Sequence, residues 1–358
     1  MKTILVPLNI KLKESPDHLL FAARHLEEVA KTEFGEKVVV KFLYYEQKNY
    51  GKRELIRLNL KLMWKILATK HDLLYFATDP LVLGGIAFLK NLGGYRKPMY
   101  AWKYIALYKP KNPFVAKLKK KFYDAFDCIF MVTEKHVGES VSNGMISSAR
   151  CKYVEWGEDV DYVDKIIPPL SDGNLTTFVS TGKAYRDFDT LCKAFDGVKN
   201  AKLKIFTVKG WGEENYQEVL SKYQQNNIEI YFVEDLQLGA YKNVLDYLLA
   251  ELKIADCAVV ICKKVNFGVG FTAILDAMVC GCSLIATAHP DNPIDIDGGG
   301  IGETVPAENV DALHTIIEDF VNDKNKMKSY SQTARKMIEN RYNIKSVAKR
   351  VLEVMLKE

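Results

Sequence analysis

The stretch Gly268-Val-Gly-Phe-Thr-Ala-Ile-Leu-Asp-Ala-Met-Val-Cys-Gly-Cys-Ser-Leu-Ile-Ala-Thr287 decides the fold class of this chain. Small residues open it, an amphipathic run carrying one acid, Asp276, follows, and Gly281 separates that run from the apolar segment 283–288. The pattern predicts a turn into a helix, a helix end near Gly281 and a buried parallel strand. N–H groups at a glycine-opened helix start have no partner in the helix, and the helix dipole adds positive potential, so such a start attracts phosphate. Asp276, further along the same helix, can accept hydrogen bonds from sugar or ribose hydroxyls. Phosphate and hydroxyl recognition in one motif is what a nucleotide-sugar site requires.

Working outward, the same alternation recurs along the whole chain. Segments 3–8, 38–45, 72–77, 128–132, 203–208, 228–233 and 257–261 read as short apolar strands, and helical patterns lie between most of them. These include 17–30, 81–92, 188–195, 214–223 and 241–252, with closing helices at 310–322, 326–340 and 344–356. Strands alternating with helices make an α/β protein with parallel sheets. A chain of 358 residues suits two domains of about 150–180 residues each. The softer stretch Lys165-Ile-Ile-Pro-Pro-Leu-Ser-Asp-Gly-Asn174 reads as the joint. The expected division is a domain over 1–165, joined by the C-terminal helix 344–358, and a second over 174–343.

Composition excludes several classes. Met1-Lys-Thr-Ile-Leu-Val-Pro-Leu8 is a first strand rather than a signal peptide, because its apolar run is short. Nothing approaches the roughly 18 consecutive apolar residues of a membrane span. The seven cysteines sit mostly inside expected strands or helices, and Cys280-Gly-Cys282 lacks a second pair at metal-ligand spacing, so no metal site is expected. The six histidines form no metal or triad pattern, and His289 reads as a turn residue. The chain reads as cytoplasmic.

Net charge is only +5, but Lys103, Lys109, Lys111, Lys117, Lys119, Lys120 and Lys121 crowd one region. Residues 113–126 form a helix pattern with Phe114, Val115, Leu118, Phe122, Ala125 and Phe126 on one arc and lysines on the rest. Such a helix suits the surface of an anionic membrane. Nucleic acid is not expected, since the aromatics share the apolar arc instead of alternating with the lysines.

Three ordered segments give the C-terminal half a likeness. Phe178-Val-Ser-Thr-Gly-Lys-Ala-Tyr-Arg-Asp-Phe-Asp189 is similar to the strand, Gly-basic loop and helix of the retaining family-four glycosyltransferases. Gly270-Phe-Thr-Ala-Ile-Leu-Asp-Ala-Met-Val-Cys-Gly281 resembles that family's acid-bearing helix, and Asp297-Gly-Gly-Gly-Ile-Gly-Glu-Thr-Val-Pro306 its turn after the last strand. The resemblance covers roughly residues 175–345. In the N-terminal half it is weaker, through residues 117–133 and Trp156-Gly-Glu-Asp159. It implies the GT-B fold, two facing Rossmann-like doubly wound domains with an interdomain cleft.

It also implies roles. Lys183 takes the place of the family's usual Arg in the loop after Gly182, and Arg186 is the second basic residue in reach, so these two would neutralise the donor diphosphate and act in catalysis. Gly182, Gly270, Phe271 and Thr272 would bind the donor with Asp276, which stands where Glu is usual. Lys209 is a further candidate for phosphate or base-side contact. The family's first acid would fall on Gly268, and Gly270-Phe-Thr272 resembles the Gly-x-Thr turn of a branch lacking it. In place of the family's N-terminal Gly-Gly loop stands Pro7-Leu-Asn-Ile-Lys-Leu-Lys-Glu-Ser-Pro16, and in place of its His stands Trp102 or Lys103.

The resulting expectation is a retaining hexosyltransferase. It would move a sugar from a UDP- or GDP-linked donor, the donor being substrate and no cofactor or metal being needed. The acceptor would be lipid-linked or polysaccharide, in cell-surface glycan synthesis at the inner membrane face. Other readings are a non-catalytic GT-B subunit or glycan-binding partner of another transferase, a GT-B nucleotide-sugar epimerase, and a membrane-surface scaffold.

Overall fold

The computed structural model describes residues 1–46, 51–77, 80–170, 173, 175–223 and 226–356. They form two compact units, one of residues 1–159 with 342–358 and one of 160–341. No helix among the described residues is long and apolar enough to cross a membrane.

The first unit begins β1 (Lys2–Asn9), α1 (Leu26–Phe34), β2 (Val38–Tyr45), α2 (Lys52–Ala68) and β3 (Leu73–Phe76). It continues α3 (Gly84–Asn91), β4 (Met99–Lys103), α4 (Pro113–Asp124), β5 (Cys128–Met131), α5 (Glu134–Ser142) and β6 (Cys151–Tyr153). All strands are parallel, in the order β2-β1-β3-β4-β5-β6. Parallel neighbours need crossovers, and the helices supply them. β3, β4 and β5 read as nearly unbroken apolar runs because they are buried on both faces. Core residues of α2 (Leu58, Leu62, Ile66) pack with Phe76, Ile86 and Phe126.

In the second unit, α6 (Val160–Asp164) leads to β7 (Thr176–Thr181), α7 (Phe188–Ala194), β8 (Ala201–Thr207), α8 (Tyr216–Leu220) and β9 (Ile228–Phe232). Then come α9 (Val244–Lys253), β10 (Cys257–Val260), α10 (Phe271–Cys280), β11 (Ser283–Thr287), β12 (Gly302–Val305), α11 (Val310–Asn322) and α12 (Lys324–Asn340). The sheet order is β12-β11-β10-β7-β8-β9, again all parallel. The order reverses between β7 and β10, so a doubly wound sheet places its binding crevice beyond the carboxyl ends of those two strands. Phe178, Leu203, Val259 and Ile285 from four of the strands form the core with Leu191, Leu313 and Phe320. The chain then returns to the first unit, where α13 (Ile344–Met355) packs on α1.

Most elements lie where the periodicity predicts them; β2 and α11 coincide with 38–45 and 310–322. Of the expected linker, residues 165–170 and 173 carry no helix or strand, while 171, 172 and 174 lie outside the described residues. Two helices differ. At 214–223, Trp211 and Glu214 exchange backbone hydrogen bonds and Asn215 caps from the side, so only Tyr216–Leu220 remains helical.

The expected helix at 17–30 is instead a single turn at Asp17–Leu20 and then α1. The cause is the buried Asp17 carboxylate, which accepts the Arg24 amide at 2.9 Å and the His25 amide at 3.2 Å while His25 Nδ1 lies 2.7 Å away. Phe21 and Ala22 take left-handed φ of 47° and 65° to bring those groups round. Burial opposes protonation of His25, but the hydrogen bond to Asp17 and the charges of Asp17, Asp159 and Glu28 outweigh it and raise the pKa above the ordinary 6.5. A raised folded pKa gives stability that is complete below 6.5 and lost as pH climbs through the folded value. Thermal melts from about pH 6 to about pH 8.5 should show this loss, and His25→Asn should remove that part of the slope.

Candidate functional site

Beyond the carboxyl ends of β7, β8 and β9 lies a cavity of about 410 Å³, walled also by α9 and the start of α10. That volume is within the usual range for a small-molecule site. Its polar side is made by Thr181, Gly182, Lys183, Arg186, Gly270, Thr272 and Asp276. Its apolar side is Phe206, Val208, Val233, Val244 and Leu248. One side suits charge and hydroxyls, the other a flat ring.

Two features make the polar side. The first is the loop after β7, in which Gly182 has φ of 112° and its carbonyl accepts a 2.9 Å hydrogen bond from Thr207 Oγ1. Tyr216 Oη donates to the Lys183 carbonyl at 2.8 Å and accepts the Arg186 amide at 3.2 Å. The backbone is thus fixed while the Lys183 side chain stays exposed, with Nζ 5.0 Å from the centre of the Trp211 ring. Lys183 has no ion-pair partner among the described residues. Arg186 is treated differently. It is buried, and its guanidinium donates to the carbonyls of Thr181 at 3.0 Å and Ala184 at 3.3 Å, with Cys262 Sγ at 3.2 Å. Its charge stands in the cavity wall while its N–H groups brace the loop that carries Lys183.

The second feature is the start of α10. Asn or Asp side chains cap the neighbouring α7, α8 and α9, but Gly270 precedes α10 with φ of 83° and offers no side-chain cap. No acid occupies the first turn. The first N–H groups of a helix lack intrahelical acceptors, and here they open beside Thr272 and Ala273 onto the cavity. Thr272 is exposed, while Phe271 and Asp276 are half-buried. A cation, open amides, a hydroxyl and a carboxylate share one space, which can hold an anion with hydroxyls behind it.

The structure therefore brings together Gly182, Lys183, Arg186, Gly270, Thr272 and Asp276, with Phe271 between them in sequence. Lys209 is not among the cavity residues; its Nζ pairs with Asp235 at 2.8 Å and its amide donates to Glu234. Position 268 has no room for a side chain, because a Cβ there would lie 2.9 Å from the Asp291 carbonyl oxygen. The Asp297–Gly300 turn is also not among the cavity residues, Asp297 accepting the amide and hydroxyl of Thr304 within β12. His289 is a turn residue whose Nδ1 accepts the Asp291 amide and whose Nε2 donates to the Val265 carbonyl.

Sequence reasoning missed the apolar wall. Val233, Val244 and Leu248 look like any other core positions, and only the end of β9 and the face of α9 set them apart. It also missed a pair in the first unit. His18 Nδ1 lies 2.9 Å from Glu158 Oε2, both buried, across 140 residues of chain that no spacing rule connects. Trp102, expected near a site, is fully buried and donates to Tyr75 Oη at 2.7 Å.

In the first unit, α4 starts at an Asn112 cap and buries only Ala116 and Tyr123. The expected apolar arc divides. Phe122 is half-buried and Phe126 fully buried in the core, whereas Phe114 and Leu118 are 69% and 53% exposed. The exposed part is flanked by Lys117, Lys119, Lys120 and Lys121.

Residues 163–337 match the family model of glycosyl transferases group 1. The whole chain is similar to a glycosyltransferase structure from Rickettsia africae, with 15% identity, 99% and 98% of the two chains covered and a TM-score of 0.70. Anabaena HepE in complex with UDP-glucose is similar with 12% identity, full coverage of both chains and a TM-score of 0.69. Sucrose-phosphate synthase from Thermosynechococcus elongatus is similar with 13% identity, coverage of 100% and 99% and a TM-score of 0.68. These likenesses show the fold. No functionally curated sequence matches the chain significantly.

Proposed function

From the group 1 glycosyltransferase domain over residues 163–337 and the GT-B fold of the whole chain, we propose that the protein transfers a hexose from a UDP- or GDP-sugar to a lipid-linked or polysaccharide acceptor. The observation that carries the donor part is the uncapped start of α10, which opens onto the same cavity as Lys183 and Asp276. In this reading the second unit is the donor domain and the first serves the acceptor.

The apolar wall of Phe206, Val233, Val244 and Leu248 receives the base, Asp276 accepts from ribose or sugar hydroxyls, and the diphosphate meets α10. Bond breaking at the anomeric carbon leaves negative charge on the departing diphosphate. Lys183, the amides of Phe271 and Thr272, and the Thr272 hydroxyl stabilise that charge as it develops. Arg186 adds positive potential and holds the Lys183 loop in place. Titration calorimetry with UDP and GDP tests this. One of them should bind with 1:1 stoichiometry and raise the melting temperature, and failure of both to bind would sink the reading.

The acceptor part rests on α4. Exposed Phe114 and Leu118 with four adjoining lysines favour the face of an anionic membrane. Each lysine near such a surface contributes about 1 kcal/mol, so replacing Lys117 and Lys121 by Gln should weaken vesicle partitioning roughly 30-fold. Sedimentation with vesicles of anionic and of neutral lipid measures it. Equal binding to both kinds, or no effect of the substitutions, would remove the membrane from the account.

A further inference from the structure

The loop that carries Lys183 is held at its backbone from several sides. Tyr185 takes a left-handed φ of 55°, which a bulky L residue adopts rarely and only where its surroundings enforce it. Its carbonyl accepts the Lys263 amide at 2.9 Å, and its ring meets Phe267 edge-on, the ring centres 5.2 Å apart. Tyr216 bonds the same loop at Lys183 and Arg186. The freedom that remains is that of the Lys183 side chain itself. A lysine is a point charge on a flexible four-carbon stem, and fixing that stem costs entropy.

One side chain acts on that stem. The Trp211 ring lies under the Lys183 ammonium, 5.0 Å from Nζ to ring centre, and Trp211 is itself fixed by backbone hydrogen bonds of 2.9 and 3.0 Å exchanged with Glu214. Gly210 and Gly212 flank it. A Cβ at 210 would lie 3.0 Å from the Glu214 carbonyl oxygen, and Gly212 has φ of 61°, so the turn that presents the indole favours glycine at both places. No acid takes the ring's place. Glu214 pairs with Lys263 at 2.6 Å, Asp187 accepts the Thr190 amide at the start of α7, and Glu213 makes no ion pair among the described residues. The kind of partner matters here. A carboxylate beside Lys183 would neutralise it and compete with an incoming anion. An aromatic face attracts the cation through its quadrupole and has no net charge, so it orients the ammonium and leaves its charge available.

We propose that Trp211 is a positioning residue of the donor site, holding the Lys183 ammonium ready for a diphosphate without neutralising it. The inference rests on the donor reading above and goes beyond it, since Trp211 does not line the cavity. Its ring supplies the orientation that a point charge on a flexible stem lacks.

The test is a double-mutant cycle on nucleotide binding, read by titration calorimetry on the full chain with whichever of UDP and GDP binds it. Trp211→Gln should weaken binding about two- to fivefold, the loss of one exposed cation–π contact. Trp211→Phe keeps an aromatic face and should lose less. In the Lys183→Ala background, Trp211→Gln should have no further effect, because the group that the ring acts on is gone. Emission gives a second readout. The Trp211 contribution, taken as the difference between the parent and Trp211→Phe, should change on nucleotide binding as the ammonium turns toward phosphate. At saturating nucleotide that change should be absent in the Lys183→Ala background. A ring that touched the nucleotide directly, or served only the fold, would give equal losses with and without Lys183, and that result would overturn the proposal. Full binding by Trp211→Gln would do the same. If neither nucleotide binds the parent, the donor reading itself fails and the inference falls with it.

Discussion

Lys183→Ala is expected to lower kcat/KM for the sugar donor by about 10²-fold while leaving the denaturation midpoint nearly in place. The side chain is exposed and has no carboxylate partner among the described residues, so folding does not depend on its charge. Its contact with Trp211 is an exposed cation–π interaction, worth about 0.5–1 kcal/mol. Catalysis depends on it more. Removing one donor aimed at a developing anion costs about 10²–10³ in rate, and an exposed group belongs at the lower end. Lys183→Arg keeps the charge and should retain most activity. Lys209→Ala is the control, because that ammonium is held by Asp235 and lies away from the cavity. Steady-state rates with the donor identified by binding decide the matter. If Lys183→Ala and Lys209→Ala behave alike, the loop after β7 is not the diphosphate site.

Gly270→Ala is expected to cost roughly 2–5 kcal/mol of stability and to abolish donor binding. At φ of 83° an L side chain is strained, by about 1–2 kcal/mol. The new Cβ would also lie 2.7 Å from Val260 Cγ1 and 3.2 Å from Cys262 Sγ. Overpacking of this kind adds about 1–3 kcal/mol. Relief requires α10 to move away from β10, and its open amides move with it. Gly281→Ala at the other end of the helix separates the two causes. Its φ of 77° is equally left-handed, but nothing lies within 4 Å of its Cβ, so only the strain of about 1–2 kcal/mol should appear. Urea denaturation of both variants, with UDP binding measured where each is folded, checks the difference. Equal losses at 270 and 281 would mean that the contact with Val260 does not matter.

The strands and the glycine-led loops of the cavity were legible because their signals are local. Val38-Val-Val-Lys-Phe-Leu-Tyr-Tyr45 is β-branched or aromatic at every position but Lys41 and Leu43, and it is a strand over just those residues. Gly270 and Gly281 bracket α10 because both positions need positive φ. Lys183 and Thr272 were readable for a similar reason, being polar residues set beside a glycine turn, and Asp276 as the one acid of the helix between Gly270 and Gly281. What escaped was decided by partners distant in the chain. Asp17 reads as a helix start until its carboxylate is seen to be buried and taken by the amides of Arg24 and His25. Lys209 reads as a free cation until Asp235 arrives from beyond β9.

The packing around Gly268 bears on how this protein could have diverged and how it could be redesigned. The Asp291 carbonyl occupies the space that any Cβ at 268 would need, and the His289 ring holds that turn through the Asp291 amide. An acid introduced at 268 alone would meet a collision before it could contribute any chemistry. Substitution there is conditional on a prior change in the 289–292 turn, so the two positions are epistatically coupled. The two-acid pattern is closed to a single substitution at 268, and a library meant to find it must vary both segments together.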